Sequence, residues 1–220
     1  FILPYGPHQE VDFMRVTSAY PGGQGSIRPA ISAYQSFKFK LNDGTEQLFD
    51  IFAEQSAYEK AVEKLVEARE FDVIHAHDWL TFRAAIRAKQ KRNKPLILHV
   101  HSIEKDRSGG NFGNPVVREI EYMSMMLADR VVTVSQHTKN MVIQEYDIPE
   151  DKIEVVHNSI DLSAVEPLNS DNAYKYLSAM KQKGWKVVAN VGRLTVQKGL
   201  PNLIRSAKLV IDHSPKTFFL

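Results

Sequence analysis

The chain has 220 residues, 43% hydrophobic and 25% charged, the make-up of one or two globular domains and not of a disordered segment. A formal net charge of +2 leaves no broad basic surface for a nucleic acid, so any cationic chemistry is local. The absence of cysteine excludes disulfides and thiolate-bound zinc and fits a cytoplasmic home, and no apolar run reaches the roughly 18 residues a membrane span needs.

The N-terminus, Phe1-Ile2-Leu3-Pro4, has neither the charged region nor the long apolar stretch of a signal peptide, and it lacks an initiator methionine. Pro21-Gly22-Gly23-Gln24-Gly25 reads as a loop, and nothing before it reads as a buried strand. From Ser36 to Phe52 an alternating run, the turn residues Asn42-Asp43-Gly44-Thr45 and a returning run predict a hairpin decorating an edge of the sheet. Tyr58, Val62, Leu65 and Val66 put an apolar stripe on a helix. Five β-branched, continuous runs then predict parallel strands covered on both faces: 71–75, 95–100, 131–134, 153–156 and 185–191. Val116, Ile120, Met123 and Leu127 predict a helical stripe before the third of these. Leu200, Leu203, Ile204, Ala207, Val210 and Ile211 predict another after the fifth. The pattern dissolves over 163–172 into Glu166-Pro167, Asn169-Ser170 and Asp171-Asn172, and a short helix over 173–182 follows. Strands alternating with helices imply an α/β doubly wound parallel sheet. The expected organisation is a partial N-terminal Rossmann-like domain over 1–162, a linker over 163–172, and over 173–220 the first βα unit of a second domain. The last residues, Phe218-Phe219-Leu220, read as a strand beginning, so both ends are expected to be cut.

In such sheets ligands bind beyond the carboxyl ends of the strands. Six of the eight histidines fall there: His75, His77, His99, His101, His137 and His157. The two His-x-His pairs place imidazoles on one face of a strand, where a metal ion is one reading. Hydrogen-bonded core histidines at His75 and His99 are the other, and the one favoured. His77 and His101, further out, suit hydrogen bonds to a polyhydroxylated ligand. Glu104-Lys105-Asp106-Arg107 reads equally as a solvated loop or a substrate clamp. Gly109-Gly110-Asn111-Phe112-Gly113 reads as a loose loop, and Ser135 or Thr138 as a helix cap. In Gly192-Arg193-Leu194-Thr195-Val196-Gln197-Lys198-Gly199, Gly192 permits a tight turn. Arg193 and Lys198 then bring two cations to one strand end near a helix N-terminus, which suits a diphosphate. Two solvated cations are the alternative.

Taken in order, Asp72-Val73-Ile74-His75-Ala76-His77-Asp78-Trp79, His101-Ser102 with Glu104 and Asp106-Arg107, Ala128-Asp129 to Ser135, Ile153 to Asn158 with Ile160-Asp161, and Gly192-Arg193-Leu194 with Lys198-Gly199 resemble a known family. It is that of the glycogen and starch synthase type, retaining glycosyltransferases of group 1 with two Rossmann-like domains (the GT-B fold); the resemblance runs over about 71–220. It implies transfer of a hexose, glucose by expectation, from a nucleoside-diphosphate sugar to a glycan or small-sugar hydroxyl with retention, without a bound metal or other cofactor. By that resemblance Arg193 and Lys198, with Gly192, hold and neutralise the leaving diphosphate, and His77 hydrogen-bonds the transferred sugar. His101 and Glu104 belong to the acceptor wall, and Asn158 to the interdomain cleft. The sequence departs from the family at Ser159, where a glycine is usual and where a positive φ would strain serine. The family's glycine-rich loop near the start of the first domain and its acidic motif are missing, so activity is expected of the parent protein. A sugar-nucleotide epimerase or phosphorylase on the same plan, and a non-catalytic sugar- or nucleotide-binding module, are the rival readings. A Rossmann dehydrogenase is disfavoured, because no strand leads into Gly-x-Gly-x-x-Gly.

Overall fold

The structure, a computed structural model, describes residues 2–3, 9–11, 14–18, 37–40, 44–162 and 172–220. The expected loop at 21–25, the turn residues 42–43 and all but the last residue of the expected linker lie outside them. The chain divides into two compact units: Phe1–Ile103 with Asn114–His157, and Glu104–Gly113 with Asn158–Leu220.

The first unit opens on β1 (Ile2–Leu3), β2 (Gln9–Val11) and β3 (Met14–Ser18), with β3 parallel to β1 and antiparallel to β2. This corrects the expectation that no buried strand precedes the loop at 21–25, since Thr17 is buried. Met14 to Ser18 has no apolar run. Its strand character comes from pairing and from a distant partner: Arg69 donates to Thr17 Oγ1 at 3.0 Å across 52 positions. The hairpin is present as β4 (Phe37–Lys40) and β5 (Glu46–Phe49), in register Phe37 to Phe49. It forms a two-stranded sheet of its own instead of an edge of the larger one. Asp50 caps α1 (Ile51–Glu67) by accepting the Phe52 N–H at 3.0 Å. Tyr58, Val62 and Val66 are buried as their spacing predicts, while Leu65 is only half-buried.

The centre of this unit is a parallel sheet in the order β6-β7-β8-β9, with β6 (Ile74–His77), β7 (Leu96–Val100), β8 (Arg130–Thr133) and β9 (Ile153–Val155). The first four of the five expected runs form these strands; the first is displaced, starting at Ile74 instead of residue 71. Between the strands run α2 (Trp79–Arg92), α3 (Glu104–Arg107, a member of the second unit), α4 (Pro115–Leu127) and α5 (Gln136–Tyr146). Ala76, Leu96, Leu98, Val100, Val131 and Ile153 point from the strands into a core shared with Trp79, Phe82, Met125 and Val142. Each large apolar side chain so buried contributes about 1.5–3 kcal/mol. The strand residues between them, His75, Ile97, His99 and Val132, stay exposed or half-buried. Coverage on both faces, expected from the continuous runs, is therefore met on one face only among the described residues.

Two side chains fix the sheet from below. Asp129 Oδ2 accepts from the Leu96 N–H and from Lys89 Nζ, both at 2.7 Å, joining the starts of β7 and β8. The Lys89 ammonium and the Leu96 amide hold the Asp129 carboxyl below the usual aspartate range. At the start of α5, Ser135 Oγ accepts the Thr138 N–H at 3.0 Å, the cap the sequence predicts, worth about 1 kcal/mol.

The expected stripe on α4 is buried at Ile120 alone. Val116, Met123 and Leu127 are exposed, and the buried residues are Val117, Ile120, Glu121, Ser124 and Met125. Pro115 to Leu127 carries apolar residues on both faces, so helical spacing is satisfied by either and packing chooses between them. The buried Glu121 accepts a hydrogen bond from the Tyr146 hydroxyl, which explains how a carboxylate lies on that face.

In the second unit α6 (Asn172–Gln182) precedes β10 (Lys186–Val188), a 3-10 turn at Val196–Lys198, α7 (Leu200–His213) and β11 (Thr217–Phe219). β10 and β11 pair in parallel, Lys186 opposite Thr217, closing a βαβ unit. Along α7, Leu200, Leu203 and Ala207 are half-buried while Ile204, Val210 and Ile211 are exposed. No helix among the described residues is long and apolar enough to cross a membrane.

Candidate functional site

The parallel register places His77 of β6 beside His99 of β7, and His101 follows one residue beyond the end of β7. Alternation puts residues 75, 77, 99 and 101 on one face, so four imidazoles gather at the carboxyl ends of two neighbouring strands. His77 Nδ1 lies 2.9 Å from His101 Nε2, one ring donating and the other accepting. Ring centroids are 4.6 Å apart for His75 and His77, 4.9 Å for His77 and His99, and 4.5 Å for His99 and His101, all stacked. His75 is exposed, which corrects its reading as a core histidine. His99 is half-buried, yet both of its ring nitrogens are shielded from solvent and have no hydrogen-bond partner.

The ligand atoms of His75, His77 and His99 lie within 4.8 Å of one another, close enough to raise the question of a metal ion. An imidazole lone pair lies in the plane of its ring. The planes of His75 and His99 are 2° apart, and those of His77 and His99 28° apart, so the lone pairs run alongside one another instead of converging. The grouping suits hydrogen bonds to a flat or polyhydroxylated ligand laid across the strand ends better than it suits tetrahedral coordination.

Partial desolvation of the stacked rings depresses the basicity of three of them, and neighbouring imidazoles add to it. His75 and His77 titrate below their ordinary value, and His99 is pushed from near 6.5 down to about 4. His75, His77 and His99 thus favour the uncharged form at neutral pH. As pH falls from about 6.5 to about 4, the unfolded chain binds protons that the native strands refuse, so stability falls over that window and levels off below it. Scanning calorimetry should accordingly find a lower unfolding midpoint at pH 5 than at pH 7.5, with a smaller drop in His99→Leu. Equal drops in the two proteins would contradict the assignment.

Backbone geometry holds the pair in place. Asp78 N–H donates to the His99 carbonyl at 2.9 Å, and Asp78 Oδ1 accepts the His101 N–H at 2.8 Å. Thr81 Oγ1 donates to the His77 carbonyl at 2.8 Å. The role of Asp78 escaped the sequence reading, although the residue was on view within the His77-Asp78-Trp79 run. Its partners lie more than twenty positions away, and only strand pairing brings them near.

The other expected site residues belong to the second unit. Glu104 is half-buried and pairs with Arg107 Nε at 3.2 Å. The loop that follows is built, not loose. Ser108 Oγ donates to the Asn111 carbonyl at 2.7 Å, and Asn111 Nδ2 returns a bond to the Ser108 carbonyl at 2.9 Å. Gly109 has φ +70° and lies so close to Val196 that a β-carbon would meet Val196 Cγ1 at 2.7 Å. The 104–113 segment is thereby packed on the turn that carries Lys198. Gly192, Arg193 and Lys198 are all exposed, and the Lys198 stem runs past Gly192, its Cγ 3.9 Å from where a β-carbon would stand. The left-handed residue of this segment is Gly199, with φ +63°, and not Gly192. Lys198 precedes α7 with Gly199 between them, in the 3-10 turn. Asn158 is exposed, and the strain anticipated at Ser159 does not arise: the described non-glycine residues with positive φ are Asp78, Asn93 and Asp147.

One groove of about 470 Å³, lined by Glu59, Arg83, Arg87, Val116, Met123 and Leu127 among others, lies on α1, α2 and α4 and includes none of the expected site residues.

Comparison with known proteins gives the family and the fold. A family model described as Glycosyltransferase Family 4 matches residues 18–164. An uncharacterized glycosyltransferase of Methanocaldococcus jannaschii, MJ1607, is 33% identical over 156 residues, 66% of this chain and 39% of that protein. A D-inositol 3-phosphate glycosyltransferase of Salinispora tropica is 30% identical over 67% of this chain and 33% of its own length. An alpha-maltose-1-phosphate synthase of Mycolicibacterium smegmatis is 30% identical over 61% and 36%. The chain thus spans between a third and two-fifths of these relatives. Among solved structures, Anabaena Alr3699/HepE in complex with UDP and glucose superposes with a TM-score of 0.55 at 22% identity, over 73% of this chain and 42% of that one. That likeness is one of fold, and it bears out the doubly wound GT-B-like class read from the sequence, partly represented.

Proposed function

The chain belongs to glycosyltransferase family 4, and we propose on that footing that the whole protein moves a hexose from a nucleoside-diphosphate sugar to an acceptor hydroxyl with retention at the anomeric carbon. The observation that carries the proposal is the His77–His101 pair at the ends of β6 and β7, 2.9 Å between ring nitrogens, in the stretch that matches the family. An imidazole carries two ring nitrogens that can hydrogen-bond sugar hydroxyls. In this reading His77 holds the transferred sugar, and His101 and Glu104 face the acceptor, with Asn158 on the acceptor side. Arg193 and Lys198, with Gly192 between strand and turn, hold the diphosphate. Two cations give the leaving group the electrostatic stabilisation that a divalent ion supplies elsewhere, so the proposal includes no metal and no other cofactor.

Glucose is the proposed sugar. The relatives named for an inositol phosphate and for maltose 1-phosphate widen the proposed acceptors from a glycan to small polyols and sugars. A nucleotide-sugar donor together with a cysteine-free chain supports a cytoplasmic setting. The test is direct. Whole protein incubated with UDP-glucose or ADP-glucose and candidate acceptors should release nucleoside diphosphate and yield an α-glycoside by NMR, at the same rate with EDTA present. Epimerised donor without an acceptor, or nucleotide binding without turnover, would overturn the reading in favour of an epimerase or a binding module.

A further inference from the structure

Asp78 stands where an aspartate ordinarily caps the helix that follows it, yet its side chain makes no capping bond to α2. Its backbone has φ 58° and ψ 164°, a region that is open to glycine and strained for any residue with a side chain. The strained conformation has a visible consequence. It turns the chain sharply at the end of β6, so that Asp78 N–H reaches the His99 carbonyl and the carboxylate reaches the His101 N–H at 2.8 Å. His101 lies beyond the end of β7, where the ladder no longer supplies a partner for its N–H. Thr81, in the first turn of α2, ties down the His77 carbonyl and accepts nothing in exchange from the strand; its N–H and hydroxyl both also reach the Asp78 carbonyl, at 3.0 and 3.1 Å.

We propose that Asp78 is the positioning residue of this site: its carboxylate, held in place by the strained turn, sets the backbone of His101 and thereby the ring-to-ring hydrogen bond between His101 and His77. The inference rests on the reading of His77 as the group that meets the transferred sugar, and it adds a residue that touches neither sugar nor diphosphate. A helix-capping role would leave the carboxylate on the amides of α2. A purely structural turn would be served at least as well by glycine, which adopts this conformation without strain.

Those alternatives separate in two variants of the whole protein. Asp78→Gly relieves the strain and removes the acceptor. The expected result is an unfolding midpoint equal to or above the parent's, with kcat lowered about tenfold or more and donor KM little changed, as for a misplaced catalytic group. Asp78→Asn keeps an oxygen for the His101 N–H and should recover most of that loss. Nitrogen-15 NMR of the histidine side chains should show the His77 and His101 ring signals displaced in Asp78→Gly and near their parent positions in Asp78→Asn. An Asp78→Gly protein that transfers sugar at the parent rate overturns the proposal, as does a loss of rate that only follows a lowered midpoint and is not rescued by asparagine. If the parent protein transfers no sugar, the function reading fails by itself. The ring signals then decide alone: displacement upholds the positioning role, and unmoved signals overturn it.

Discussion

Replacing Arg193 with alanine in the whole protein lowers kcat by about two orders of magnitude or more, and Lys198→Ala does so on the same scale. The expectation rests on timing. Negative charge on a nucleoside diphosphate grows as its bond to the sugar breaks, so a preorganised cation helps the transition state more than the ground state. Losing one such donor costs about 10²–10³ in rate. Both side chains are exposed, Arg193 in the loop after β10 and Lys198 in the 3-10 turn that follows, so neither replacement removes core packing. Circular dichroism and the unfolding midpoint should therefore match the parent. Steady-state kinetics with saturating donor is the measurement, and near-parental kcat in either variant would sink the diphosphate role. Arg193→Lys is a useful companion, because lysine keeps the charge and loses the planar fork.

His77→Ala is the second large expectation: kcat falls by about a hundredfold or more, within the range for removing a positioned hydrogen-bonding group, while nucleotide affinity is mostly kept. His77 is exposed, and the bond that Thr81 donates goes to its backbone carbonyl, which alanine retains. The strand end should thus survive the substitution. Titration calorimetry with the nucleoside diphosphate, set beside kcat, separates the outcomes. A collapse of folding would mean that the imidazole serves the structure; lost nucleotide affinity with normal kcat would move His77 from the sugar to the nucleotide.

Much of the candidate site is legible in the sequence. The His-x-His pairs stand at the ends of β6 and β7, Arg193 and Lys198 follow β10 in the loop and the 3-10 turn, and five ordered motifs carry the family resemblance. Less legible was what the residues do to one another. His75 looked like core because Phe71 to His75 reads as one apolar run, but the strand starts at Ile74 and alternation then turns the imidazole outward. Gly192 looked like the residue that makes the turn, whereas the left-handed position falls at Gly199. The glycine loop at 109–113 looked loose because composition alone cannot show that Val196, 87 positions on, closes against Gly109. The first strands were overlooked because Thr17 owes its burial to partners and not to an apolar run of its own.

Sequence by itself determined the α/β class, the order of the parallel strands, the helices before β6, before β8 and after β10, a cap at Ser135 or Thr138 and the candidate residues in the loops beyond the strands, whereas the helices at Trp79–Arg92 and Glu104–Arg107 came only with the structure. These follow from forces that act within a few positions: the periods of strand and helix, β-branching and short-range capping. Tertiary structure alone decided which face of α4 is buried, that the hairpin stands apart from the parallel sheet, and that Asp78 bridges the turn after β6 to His101. Each of those depends on groups distant in sequence being brought within hydrogen-bond or van der Waals reach. The same local pattern is compatible with more than one such partner, and only packing distinguishes them.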